Sequence, residues 1–273
     1  MTGDYYRIAA GDLGRGAKIP VDKFGDSSEV YWELALEMVE GIRRNNAAGK
    51  PTVYIVPVGP VGQYPAFVRM VNSGGVSLRD CWFINMDEYL AADGACIDEK
   101  HFLSFRGFMD REVYGRIRPE LVMPEAQRLF PDPASSGRIG EVIERLGGVD
   151  AVFGGVGLNG HIAFNEASEL LSVEEFSALP TRVVDIAPAT FYANAIGSLN
   201  GDLENMPRRA VTVGMKEILG GAKIRLGLFR NWHRAVVRRA AYGVCSPAFP
   251  VSLLQSHPDA RLLVNAEAAG APY

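Results

Sequence analysis

Thr52-Val53-Tyr54-Ile55-Val56-Pro57-Val58-Gly59-Pro60-Val61-Gly62-Gln63 is an apolar, β-branched run that breaks on Pro and Gly and leads into the helical pattern Tyr64–Val71. A short buried-type strand, a turn and a helix make half of a βαβ unit. The alternation recurs outward in both directions. Strands are expected at Thr52–Val58, Cys81–Met86, Asp150–Val156, Arg182–Ile186, Ala210–Val213, Lys223–Phe229 and Arg261–Asn265. Helices are expected at Val30–Arg44, Tyr64–Val71, Gly137–Leu146, Ala189–Ser198, Asn231–Tyr242 and Val251–Ser256. Asp26, three residues before Glu29, reads as a capping box opening the first of these. The expected class is α/β, a mostly parallel, doubly wound, Rossmann-like sheet with helices on both faces. No internal repeat or low-complexity linker interrupts it, so a single domain over residues 1–273 is expected. Residues 168–180 read either as a lid over a site or as an ordinary surface connection.

Composition narrows the function. The chain has 273 residues, 48% hydrophobic, with 28 Lys+Arg against 32 Asp+Glu and a net charge of −4. That is enough apolar chain for a full core, which excludes disulfide-built and disordered classes. A mildly acidic balance gives no electrostatic reason to expect nucleic acid or an anionic membrane as partner. Cys81, Cys96 and Cys245 are far apart and form no C-x-x-C pair, which suits a reducing compartment and argues against a zinc cage. The histidines at 101, 161, 233 and 257 show no ligand spacing, so no metal is expected. Met1 to Ala10 has no leader pattern, and no segment approaches the ~18 apolar residues of a membrane span, so a cytoplasmic location is expected.

In open parallel sheets ligands sit beyond the carboxyl ends of the strands, which directs attention to three loops. The first, Val58 to Gln63, offers Gly59 and Gly62 backbone N–H groups at a helix start, an anion site weakened by Pro60 and by the lack of Ser, Thr or Lys. A plain strand-to-helix turn reads equally well. The second is Asp87-Glu88-Tyr89, where adjacent carboxylates can hold one member at a raised pKa, or simply punctuate a strand end. The third is Gly154-Gly155-Val156-Gly157-Leu158-Asn159-Gly160-His161-Ile162-Ala163-Phe164-Asn165-Glu166, four glycines, two Asn, a His and a Glu within thirteen residues. A His beside close-approach glycines is a candidate acid/base, and Glu166 could tune its charge. The same glycines at 155, 157 and 160 spell a dinucleotide fingerprint, with Glu175 about 20 residues on. That motif needs a helix directly after the glycines, and His161–Asn165 reads as extended or turn-like instead. Arg230, His233, Arg234, Arg238 and Arg239 share one expected helix, read as a solvated face whose first residues could reach an anion.

Phe83-Ile84-Asn85-Met86-Asp87-Glu88-Tyr89 taken with Gly154 to Glu166 resembles the glucosamine-6-phosphate deaminase (isomerase) family. Ala210-Val211-Thr212-Val213-Gly214 and Leu254-Gln255-x-His257-Pro258 extend the resemblance from about Val30 to Glu267. The resemblance implies an enzyme acting on an amino sugar or related sugar, without organic cofactor or metal, as a homo-oligomer. It implies that Asp87 moves a proton between C2 and C1 of the opened sugar. It further implies that His161 assists ring opening at the ring oxygen, supported by Glu166, with Asn159 where the family normally has Asp. Substrate contacts would come from Gly59, Val61, Gly62, Glu88, Gly155, Gly157, Gly160, Arg182, His233 and Arg234. The family's phosphate loop corresponds here to Pro57–Gly62, its helix Arg to Ile196 and its Lys to His233 or Arg234, so the 6-phosphate clamp is depleted. A sugar lactonase, a non-deaminating isomerase and a non-catalytic sugar-binding regulator are the alternative readings.

Overall fold

The structure, a computed structural model, describes residues 4–273. The three residues before them, part of the span assigned to one domain, lie outside it. Its strands are β1 (Val21–Lys23), β2 (Thr52–Val56), β3 (Cys81–Asn85), β4 (Asp87–Tyr89), β5 (Arg128–Leu129), β6 (Ala151–Gly155), β7 (Arg182–Asp185), β8 (Arg209–Thr212), β9 (Ile224–Leu228) and β10 (Ala260–Val264). The helices are α1 (Ser27–Ala47), α2 (Gln63–Gly74), α3 (Phe105–Glu112), α4 (Arg138–Leu146), α5 (Val173–Ser177), α6 (Pro188–Leu199), α7 (Met215–Leu219), α8 (His233–Tyr242) and α9 (Ala266–Ala269).

A seven-stranded sheet runs in the order β1-β10-β9-β6-β2-β3-β5, with every pairing parallel. Strand alternation explains why both of its faces are covered. In β2, Val53 and Ile55 enter one apolar core, whereas Tyr54 and Val56 enter another, and β3 divides Ile84 from Phe83 in the same way. Such strands must be apolar throughout, which is why they stand out as continuous runs. Asp26 caps α1, its Oδ1 accepting from the Ser28 and Glu29 N–H groups at 2.7 and 3.0 Å, while Glu29 turns back to the Gly25 N–H.

Two expectations need correction. β7 and β8 are not in the parallel sheet; with β4 they form a separate antiparallel sheet, order β4-β8-β7, over a small core of Tyr89, Leu103, Phe164, Ile186 and Phe191. The expected helix Val251–Ser256 is a 3₁₀ helix, Pro250–Ser256, because tertiary bonds hold it: Val251 N–H to Gly160 O at 2.8 Å and Ser252 Oγ to Ser246 O at 3.1 Å. The loop after β6 enters no helix at the glycines but folds into a turn with an Ile162–Asn165 bridge, so the dinucleotide fingerprint lacks its helix. No helix among the described residues is long and apolar enough to cross a membrane.

Candidate active site

The loops beyond β2, β3, β6 and β9 open at one edge of the sheet, and β8 ties two of them together. Thr212 pairs with Asp87 in the antiparallel ladder, while its Oγ1 accepts the Phe164 N–H at 3.0 Å. The next residue, Val213, donates its N–H to Met86 O at 2.7 Å and accepts from Asn165 Nδ2 at 2.9 Å. The Asp87 strand and the His161 loop are therefore fastened to one backbone segment. The β2 loop joins them where Pro60 lies against Gly155, whose Cβ, were there one, would be 3.0 Å from the Pro60 ring.

Glycine is required where the His ring lies. The imidazole of His161 rests directly on Gly157, leaving no room for a Cβ, and Gly160 adopts φ +81° with the Phe249 ring against it. Nδ1 of His161 is 2.7 Å from Asn159 Oδ1, 3.2 Å from Thr190 Oγ1 and 3.4 Å from Glu166 Oε2. Asn159 Nδ2 donates to Glu166 Oε2 at 2.7 Å, which assigns the amide orientation, since the reverse would set oxygen against carboxylate. Its Oδ1 then faces the ring, and an amide oxygen can only accept, so Nδ1 carries a proton and Nε2 is the nitrogen left for exchange. Burial pushes the Glu166 carboxyl up, but the hydrogen bond and charge of His161, with donors from Asn159 and Thr190, hold it below the usual range.

Burial pushes the pKa of both Asp87 and Glu88 up, but the two differ in their partners. Asp87 is 8% exposed, and among the described residues no protein donor engages its carboxylate. Burial, and then the Glu88 charge beside it, push its pKa well above the ordinary carboxylate value. Glu88 accepts from the N–H groups of Tyr89, Phe105 and Arg106 and from Ser104 Oγ, all at 2.9–3.1 Å, so it caps the first turn of α3. With both carboxylate oxygens occupied inside the protein, it is a structural anchor and not the substrate contact expected from its neighbour.

The other expected contacts divide. Gly59, Val61 and Gly62 form the rim of the β2 loop, with Tyr31 packed on Gly62. Arg182 is half-buried and donates to Asn165 Oδ1 at 2.8 Å, one residue from Glu166. Arg234 is turned onto the C-terminal segment, Nε to Glu267 O at 3.0 Å. His233 is buried, with Nδ1 accepting from the Phe229 and Arg230 N–H groups and Nε2 against Val156 O, all at 2.9 Å. Burial lowers its pKa to about 4, so it is a neutral brace under the glycine loop with no nitrogen free for a ligand. The expected solvated face also fails at Arg238, which is fully buried and donates to the carbonyls of Ile8, Arg234, Ala269 and Gly270. Long basic side chains were read by charge, whereas these bury their length and spend their donors on backbone.

Sequence reading assigns no role to Thr190, nor to Thr212 and Asn165 although both lie inside the quoted motifs, because buried polar residues that bridge distant segments have no local signature. Among the described residues no group of three or more His, Cys, Asp or Glu side chains could hold a metal ion.

No protein-family profile matches the chain. It is 30% identical over 244 residues to the glucosamine-6-phosphate deaminase of Clostridium perfringens, covering 86% of this chain and 92% of that protein. It is 32% identical over 214 residues to that of Bacillus velezensis, covering 77% of this chain and 83% of the relative. Among solved structures, a monomeric glucosamine-6-phosphate deaminase is similar in fold, with a TM-score of 0.79 at 24% identity over 91% of this chain and 98% of that one. A 6-phosphogluconolactonase from Shewanella baltica is similar at a TM-score of 0.59 and 17% identity, over 90% of this chain and 97% of that one.

Proposed function

Because the chain belongs to the glucosamine-6-phosphate deaminase family, we propose that it isomerises and deaminates an amino sugar, releasing ammonia and a ketose. His161 Nε2 exchanges a proton with the ring oxygen and opens the sugar. Asp87 then takes the C2 proton of the open aldose, giving an enediol-type intermediate, and returns it to C1. Water adds to the imine carbon at C2, and ammonia leaves. The observation that carries the reading is the contrast between the two neighbouring carboxylates. Both are buried and both are raised in pKa, but Glu88 is saturated by donors, whereas Asp87 is unengaged and pushed well above the ordinary value, as a group that must both accept and return a proton requires.

The His161–Asn159–Glu166 arrangement supports the ring-opening role. The amide transmits orientation from Glu166 to the ring, and the Glu166 carboxylate itself lies 3.4 Å from Nδ1. Glucosamine, glucosamine 6-phosphate, the corresponding plain sugars and lactones test this together, reading ammonia and ketose in one assay. Equal yields of both products from an amino sugar support the proposal. Ketose without ammonia makes the protein a non-deaminating isomerase, and acid from a lactone without either product makes it a lactonase.

A further inference from the structure

Of the three oxygens around Nδ1 of His161, two belong to the loop that carries the ring, and the third comes from α6, a separate element. That third oxygen is the hydroxyl of Thr190, a residue 2% exposed, two positions after Pro188. We propose that Thr190 is a positioning residue for ring opening, its hydroxyl clamping the His161–Glu166 pair to α6. The inference rests on the role given above to His161.

The hydrogen-bond inventory leads to this assignment. Nδ1 carries a proton, because Asn159 Oδ1 opposite it can only accept. The Thr190 oxygen at 3.2 Å is then a second acceptor for that proton, and the hydroxyl's own hydrogen is free to turn toward the Glu166 carboxylate, whose Oε1 is buried with no hydrogen-bond partner among the described residues. Thr190 does help to hold Glu166 ionised, alongside His161 and Asn159. A buried helical threonine ordinarily returns its proton to a carbonyl one turn back; this one faces the ring instead.

The same helix reaches the other half of the site. Asn194 of α6 donates to the Tyr89 hydroxyl at 3.1 Å, two residues from Asp87, so α6 touches both the proton-transfer strand and the ring-opening loop. The clamp is uncharged: α6 reads PATFYANAIGSL, whose titratable member is Tyr192, exposed on the outer face. The charged groups near the pair are His161 within the loop and Arg182, which meets the loop at Asn165. The hydroxyl therefore contributes geometry and one donor, and no net charge.

Thr190→Val and Thr190→Ser separate a hydroxyl role from a packing role, since Val keeps the shape and Ser keeps the hydroxyl. Thr190→Ala removes the hydroxyl without a branched group should Val prove too bulky to fold. Carbon-13 NMR of the glutamate carboxyls, with Glu166 assigned by Glu166→Gln, is read against pH on the full chain without substrate. In Thr190→Val the Glu166 midpoint moves up by about half a unit, the loss of one neutral donor, and Thr190→Ser restores it. With ring-closed amino sugar, kcat falls about tenfold while KM stays within about twofold, and Ser again recovers it. An unmoved Glu166 midpoint, or Ser as damaging as Val, overturns the clamp. The carboxyl titration needs no turnover, so a shifted midpoint in a protein that releases no ammonia sinks the proposed function and leaves the clamp standing.

Discussion

The amide nitrogen of Asn159 lies 2.7 Å from Oε2 of Glu166, and this contact decides which way the carboxamide faces and which nitrogen of His161 holds a proton. Replacing that donor with a like charge should reverse its effect. In Asn159→Asp the Glu166 carboxyl, now held below its usual range, should titrate at clearly higher pH, because two carboxylates at this separation cannot both ionise cheaply. Carboxyl NMR checks it, and an unmoved Glu166 midpoint would show that the contact does not exist in solution.

Asp87→Asn should abolish turnover, by about a hundredfold or more in kcat, because Asn cannot accept the C2 proton. The same change should stabilise the fold at neutral pH. The folded-state pKa of Asp87 is raised, so above that pKa the native chain carries a buried carboxylate that the unfolded chain hydrates freely. The variant's advantage is therefore full above the raised pKa, shrinks as pH falls below it, and is gone only at the ordinary carboxylate pKa of the unfolded chain. Thermal melts of both proteins across pH 4–9 should show the variant about 2–4 °C higher at the alkaline end for each kcal/mol gained. A melting temperature lowered at every pH would mean that Asp87 holds the structure together.

Glu88→Gln should act on stability more than on chemistry. Four donors converge on this carboxylate at the start of α3, and a neutral amide can accept from only part of them, so a loss of about 1–3 kcal/mol in urea unfolding is expected. If kcat drops as far as in Asp87→Asn while stability is unchanged, Glu88 belongs to the reaction and the cap is incidental.

How much of this was legible follows from what each residue answers to. Five strands of the parallel sheet, β2, β3, β6, β9 and β10, lie within two residues of their expected ends, since burial on both faces leaves an uninterrupted apolar run as the trace. Three-residue β1 and β4 and two-residue β5 have no such trace, because their partners, and not their own residues, create them. Likewise Arg182–Asp185 looks like any other strand, and its antiparallel pairing depends on where the Asp87 turn sends the chain. Asp87, His161 and Glu166 were visible as a motif, whereas Glu88, His233 and Arg238 were misjudged because charge says nothing about which carbonyl or N–H lies opposite.

Arg238→Met puts a number on that last point. The buried guanidinium holds the segment at Ile8 and the C-terminal carbonyls of Ala269 and Gly270 to α8 without a carboxylate partner. Met keeps the apolar stem but orphans several carbonyls, so unfolding stability should fall by roughly 3 kcal/mol or more, with earlier proteolysis at both chain ends. A loss below about 1 kcal/mol would make the stem, and not the hydrogen bonds, the useful part of this residue.

The remaining prediction concerns the group at C6 of the sugar. A charged clamp on a phosphate uses hydroxyls, free N–H groups and cations, and charge-assisted bonds of this kind are the strong ones. The loop here supplies Val58, Gly59, Pro60 and Val61; Ile196 stands exposed on α6; His233 is neutral and fully engaged. Arg182 is committed to Asn165, and Arg234 to Glu267 O. Arg230 is exposed just beyond β9, and its charge reaches Tyr31, the ring packed on Gly62, so it is a cation able to approach the loop. One surface arginine replaces a multi-point clamp poorly, since an exposed ion pair contributes about 0–1 kcal/mol. Glucosamine 6-phosphate should therefore bind less than about tenfold more tightly than glucosamine, a gap within 1.4 kcal/mol. Calorimetric titration of both sugars into the protein, and into Arg230→Gln, decides it. Micromolar binding of the phosphorylated sugar alone, lost in Arg230→Gln, would show that Arg230 has rebuilt the clamp and that this loop still selects phosphate.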